Sequence, residues 1–273
     1  MKRQIFLFII GIFIIGLSAI SICIAQDSDT VHYYNPKGHF SLTLPNGWEE
    51  IPQNVIEEYV KLMQEQATES ITMNYEAGFQ LEDSPEWFTY PYIVIQINQK
   101  GKVPEAEFQK YMLSQKGKET MEKGATEVKE AFPLLINNLK FGESTYDRTK
   151  HIFFTKVRIN VAYVGNTTGI SAICLSKEGY VQINFYSLEQ DFQKYLLYFE
   201  ELINSFKFDK GYEYKRPTFF EKFSIPKILI AALRGYIKGL IIGALIAAIT
   251  VGTGYIVKKK RGREQKIRKI REE

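Results

Sequence analysis

The chain has 273 residues, 45% of them hydrophobic and 24% charged, and a net charge of +4. Once targeting and membrane segments are set aside, that length leaves room for one domain of ordinary size. The charge is split: residues 4–209 hold 17 basic and 26 acidic side chains, so the basic excess sits at the two ends, beside apolar segments, and does not support a nucleic-acid partner.

Met1-Lys2-Arg3 is followed by an apolar run from Ile5 to Leu17. This has the basic start and apolar core of a secretory signal over residues 1–25, with Cys23 and Ala25 as the small residues before a cut after Ala25. Ile22 precedes Cys23, which does not suit lipidation. The alternative is an uncleaved anchor over 5–25; in both cases the following domain, residues 26–210, is exported. Without the leader Cys174 has no partner, so no disulfide scaffold is expected, and no Cys/His spacing suggests zinc.

A polar linker, 26–30, leads to Phe40, Leu42 and Leu44, which alternate with Ser41 and Thr43 as in a half-buried strand. Pro45-Asn46-Gly47 ends it in a turn and Trp48 follows as an apolar anchor. Pro52 opens a helix with Val55, Ile56, Tyr59, Val60 and Met63 on one face. Ile71, Met73, Tyr75, Ala77 and Phe79 alternate as one strand, and Ile93, Ile95 and Ile97 as another. Pro104 starts a helix with Phe108, Tyr111 and Met112, and the charged stretch 114–130 is expected to be exposed.

The second half is rich in strands. Phe153 to Tyr163 alternates over a long strand, Gly165-Asn166 signals a hairpin, and strands near 168–176 and 180–186 are joined by Lys177-Glu178-Gly179. Ser187 and Gln190 form a capping box for a helix. Its apolar stripe, Leu188, Phe192, Tyr195, Leu196, Phe199, Leu202, Ile203 and Phe206, requires a sheet or another helix to cover it.

Residues 211–238 read as a basic and aromatic connector lying in the membrane interface. Residues 239–257 carry no charge. As a helix they span roughly 28 Å at about 1.5 Å per residue, the thickness of a bilayer core. Lys258, Lys259, Lys260 and Arg261 open a basic tail, 258–273, that places the C-terminus on the cytoplasmic side and faces lipid headgroups. Gly239, Gly243 and Ala247 put small residues on one face of the span, the pattern of helix association.

Tyr-Tyr-x-Pro-x-x-x-Phe-Ser-Leu-Thr-Leu-Pro-x-Gly-Trp at 33–48, and the Tyr195 to Phe208 stretch with its spaced aromatic and aliphatic residues, resemble the PsbP/Mog/DcrB-like superfamily. The resemblance covers about 31–208. It implies an α+β fold, an antiparallel β-sheet flanked by helices on both faces, to which this chain adds a C-terminal transmembrane helix. It brings no catalytic residue.

No catalytic, cofactor or metal site is expected. His32, His39 and His151 sit in no recognisable motif, and Cys174 falls in a strand as a small core residue. Trp87, Phe88, Tyr90 and Tyr92, in a loop beside Glu82, Asp83 and Glu86, offer an interaction surface or else cover the sheet. The leading expectation is a non-catalytic, membrane-anchored extracytoplasmic module in the cytoplasmic membrane. It would bind or scaffold another envelope protein, or self-associate as a homodimer through the transmembrane helix. The alternatives are a small-ligand or metal-binding component of an envelope uptake system, which requires a pocket with convergent polar groups, and a hydrolase, which requires a histidine paired with a carboxylate or nucleophile.

Overall fold

The computed structural model of the protein describes residues 30–69, 73–216 and 232–249. The leader with Cys23, residues 217–231 of the connector, 250–257 of the expected span and the Lys258–Arg261 cluster lie outside the described residues. The chain divides into two units, Met1–Thr30 and Val31–Glu273, and everything that follows concerns the second.

Its elements in order are β1 (Val31–Asn35), β2 (Phe40–Leu44), β3 (Trp48–Glu50), α1 (Gln53–Gln66), β4 (Ala77–Leu81), β5 (Tyr92–Asn98), α2 (Glu105–Met112), α3 (Gln115–Ala131), β6 (Ile136–Asp147), β7 (Ile152–Val161), β8 (Gly165–Leu175), β9 (Tyr180–Leu188), a 3₁₀ turn (Glu189–Asp191), α4 (Phe192–Ser205) and β10 (Lys207–Phe208). A last helix, α5, runs from Ala232 to Ile249. Seven strands form one antiparallel sheet in the order β3-β4-β5-β9-β8-β7-β6. A smaller antiparallel sheet, β1-β2-β10, is separately hydrogen-bonded. The fold is therefore α+β, with an antiparallel sheet flanked by helices on both faces.

Alternation along each strand sorts side chains between two cores. On one face Ile93, Ile95, Val181, Ile183 and Phe185 meet the small sheet (Phe40, Leu42, Leu44) and the stripe of α4. Phe199 stacks on Phe185 with ring centroids 5.5 Å apart. On the other face Tyr92, Val94, Phe153, Val157, Ile173, Tyr180 and Tyr186 meet α1, α2, α3 and the whole of α5.

Several local expectations are corrected. The charged side chains of 114–130 are exposed or half-exposed as expected, but the stretch is also a helix: Ser114 Oγ accepts from the Gly117 backbone N–H at 3.1 Å and opens α3, which turns Met121, Val128 and Ala131 to the core. One apolar residue per two turns was enough because α3 covers only a strip of the core. The expected strand over 71–79, of which Ile71 lies outside the described residues, is not one face of one strand. Met73 and Tyr75 join the α5 side while Ala77 and Phe79 join the α4 side, because the strand begins only at Ala77. Ser187 does not cap α4. It remains in β9, its hydroxyl donates to the Leu188 carbonyl, and a 3₁₀ turn makes the entry instead. Strand β6, an edge strand with two irregularities in its register, had no clean alternation to betray it.

Candidate functional site

The α5 side of the sheet is unusually polar for a covered face. Across β6, β7, β8 and β9, Ser144, Thr155, Ser171 and Asn184 stand abreast in register. Along β9, Tyr180, Gln182, Asn184 and Tyr186 share that face by their two-residue period. All of these except Ser144 are buried.

The helix laid over this face is apolar. Leu233, Tyr236, Ile237, Leu240, Ile241, Ile242, Leu245 and Ile246 are each fully buried, whereas Arg234 near its start is exposed. What the helix offers the polar sheet is its backbone. Tyr180 Oη donates to the Ala232 carbonyl at 3.1 Å and Gln182 Nε2 to the Tyr236 carbonyl at 3.1 Å. Tyr186 Oη donates to Leu240 at 2.7 Å and Tyr75 Oη to Gly239 at 3.3 Å. Tyr92 Oη donates to Gly243 at 2.7 Å and Tyr90 Oη to Ala244 at 2.7 Å. A carbonyl oxygen has two lone pairs, so each can take a side-chain donor in addition to its helical N–H. The six donors follow the helix over three turns.

Small residues allow this approach. A Cβ on Gly239 would lie 1.8 Å from Gln96 Oε1, and one on Gly243 would lie 2.4 Å from Tyr186 Oη. On the far side of the helix the glycine belongs to α3: a Cβ on Gly124 would meet Ile237 at 2.8 Å. Burial pushes the hydroxyls of Tyr75, Tyr90, Tyr92, Tyr180 and Tyr186 well above their ordinary 10.0, so they stay protonated donors.

The structure thus places the residues singled out from sequence as follows. Phe88 and Tyr92 are fully buried and Trp87 and Tyr90 half-buried, so these four do not form a free aromatic surface; Tyr90 and Tyr92 hold the chain's own helix instead. Gly239 and Gly243 face the sheet, and Ala247 is buried. Helix α5 takes in residues 232–238, part of the stretch expected as connector, and it is long and apolar enough to cross a membrane. Cys174 is buried, and its thiol is pushed up by desolvation. Tyr75, Tyr180, Gln182 and Tyr186 were missed. For Tyr180, Gln182 and Tyr186 the signal was a polar residue at every second position of β9; Tyr75 lies outside that strand.

Two histidines do pair with carboxylates. His151 Nδ1 lies 3.1 Å from Glu105 Oε1, which also accepts from Tyr146 Oη, and Tyr214 Oη accepts from the Glu105 backbone N–H at 2.9 Å. His39 lies 3.7 Å from Asp209 Oδ2 and stacks on Tyr212 with centroids 3.6 Å apart. Both histidines have left-handed backbones, φ +55° and +52°. Tyr212 and Tyr214 belong to the segment leading toward α5, so both clusters fasten that segment to the domain. His32 Nδ1 meets Thr43 Oγ1 at 3.0 Å. Among the described residues no group of three or more His, Cys, Asp and Glu side chains could hold a metal ion.

A cleft of about 500 Å³ opens between α2, α3 and β6. Met112, Met121 and Phe141 form its apolar wall, and Lys118, Glu122, Glu143 and Ser144 bring polar groups to it.

Fold and site together define an α+β module whose main sheet holds an apolar helix through tyrosine hydroxyls. No family model matches the chain, and no curated protein does. Among solved structures it is similar to the cyanobacterial PsbP (CyanoP) of Synechocystis, with 11% identity and a TM-score of 0.43, over 69% of this chain and 98% of that one. It is also similar to a protein of Bacteroides thetaiotaomicron, with 12% identity and a TM-score of 0.33, over 66% of this chain and 48% of that one. What this chain does is read from its own residues.

Proposed function

We propose that the protein is a non-catalytic, membrane-anchored extracytoplasmic module that binds or scaffolds another envelope protein, as a member of the PsbP/Mog/DcrB-like group. The observation that carries this reading is α5 itself, an 18-residue helix with a mean hydropathy of 1.7 over that window. Such a helix has two suitable environments, a bilayer and the tyrosine-lined face of this domain. In the first it anchors the chain, with the 258–273 tail inside. In the second it is stored. Self-association through Gly239 and Gly243 belongs to the first arrangement only, since in the second those glycines are covered by Gln96 and Tyr186.

Flotation of full-length protein with phospholipid vesicles, followed by alkaline carbonate washing, tests the anchor. Retention after washing is expected. Protein left entirely in the soluble fraction contradicts it.

The cleft between α2, α3 and β6 supports a second reading, a small-ligand component of an uptake system. Its lysine, its two glutamates and its apolar wall suit a small zwitterion. The pairing that a hydrolase requires is present at His151 and Glu105, yet the hydroxyl bonded to it is that of Tyr146 in β6, and Tyr214 of the 209–216 segment packs on the His151 ring and takes the Glu105 backbone N–H. That favours fastening over chemistry.

A further inference from the structure

The helix-holding face fits α5 along its rim and at Gln182, whose Nε2 donates to the Tyr236 carbonyl at 3.1 Å, but not at Asn184. Around the edge Tyr75, Tyr90, Tyr92, Tyr180 and Tyr186 each find a helix carbonyl. In the middle Ser171 Oγ donates to Asn184 Oδ1 at 2.6 Å, and Gln182 Nε2 reaches the same oxygen at 3.0 Å. Asn184 Nδ2 is then left buried with no partner. Opposite it, Tyr236 Oη of the helix turns toward Thr155 and Ser171 and does not reach this nitrogen. Leaving a buried polar atom unpaired is unfavourable, and no side chain of α5 satisfies this one.

We infer that the sheet face beneath α5 is a binding site for a neutral, hydroxyl-rich ligand of the oligosaccharide class, open when α5 leaves the sheet for the bilayer. The inference rests on the anchor reading above, because a helix cannot lie buried on the sheet and span a membrane at once. The ligand class follows from the groups present. Thr155, Ser171, Gln182 and Asn184 supply hydroxyl and amide donors and acceptors, the set that matches sugar hydroxyls. Tyr92 and Tyr186, whose rings lie 5.3 Å apart, supply flat apolar surface for a sugar ring. Among the described residues no charged side chain is buried, so a charged ligand entering here would find no counter-ion.

The test uses a lock. A Cβ on Gly124 would lie 3.4 Å from Ile237 Cβ, close to disulfide reach, so Gly124→Cys with Ile237→Cys ties α5 to α3 when oxidised. The full-length double variant, with Cys23→Ser, is placed in phospholipid nanodiscs and applied to a printed array of neutral oligosaccharides. The expected result is binding by the reduced protein, loss of at least tenfold in signal on oxidation in water before reconstitution, and loss also in Asn184→Leu, whose lock still forms in water. If the lock closes as fully in nanodiscs as in water, α5 has not left the sheet and the anchor reading falls, taking the site with it. If the lock stays open in nanodiscs and no neutral oligosaccharide binds, or if Asn184→Leu binds as well as the parent, the site alone is overturned.

Discussion

Tyr186 and Gly243 meet with no room for a side chain between them: a Cβ built on Gly243 would stand 2.4 Å from the tyrosine hydroxyl oxygen. That oxygen donates to the Leu240 carbonyl at 2.7 Å, so it cannot step aside without losing its partner. The glycine that sequence reading assigned to contact between two membrane helices is used here for contact between a helix and a sheet.

Gly243→Leu tests this fit. Overpacking a close contact of this kind costs about 1–3 kcal/mol. The expected outcome in water is a lower Tm and a poorer yield of the disulfide lock between α3 and α5 made by Gly124→Cys and Ile237→Cys. Vesicle flotation should persist, since leucine suits a bilayer at least as well as glycine. An unchanged Tm would mean that α5 is not held on this face.

Removing single hydroxyls gives a graded version. Tyr92→Phe and Tyr186→Phe each lose one hydrogen bond to α5, at 2.7 Å in both cases. Each should cost about 0.5–1.5 kcal/mol in urea unfolding of the full chain. Because the two rings touch, the double variant is expected to depart from the sum of the singles.

The tyrosine donors also predict an alkaline limit. Their folded pKa values lie above the ordinary 10.0 because burial disfavours the phenolate. Above about pH 10 the unfolded chain gives up these protons while the folded one keeps them, so stability falls as pH rises. Below about pH 10 the contribution is complete. Absorbance titration in the near ultraviolet should show a group of tyrosines that ionise only together with the loss of far-ultraviolet circular dichroism. Gradual ionisation of every tyrosine in the folded protein would contradict the burial.

Glu105→Ala removes the acceptor shared by Tyr146 and His151. Leaving those groups without it should cost about 1–3 kcal/mol by urea unfolding. Limited proteolysis should then cut sooner near residues 209–216, because the loosened His151 ring packs against Tyr214, with ring centroids 5.1 Å apart. Faster cutting elsewhere with this segment protected would separate the cluster from the fastening role.

Much of the fold was legible because half-buried strands and one-sided helices announce themselves by period. Phe40, Leu42 and Leu44, and the Phe192 to Ile203 stripe, lie where their spacing requires. The α3 helix was hidden by its charge, since only Met121, Val128 and Ala131 reach the core. The face that holds α5 was hidden for a different reason. Its donors come from Tyr75, from the loop and start of β5, and from β9, and no local pattern joins positions 75, 90, 92, 180, 182 and 186. The helix was visible as an apolar segment, but its composition suits a bilayer and a buried groove equally, and only the hydroxyls facing its carbonyls tell of the groove.

The most direct measurement is therefore disulfide trapping between Gly124→Cys and Ile237→Cys in the full-length protein, first in water and then after reconstitution in vesicles. Near-complete trapping in water and a marked fall in vesicles are expected. Absence of trapping in water, with Cys174 still unreactive and the domain still folded, would contradict the claim that this sheet face holds the C-terminal helix.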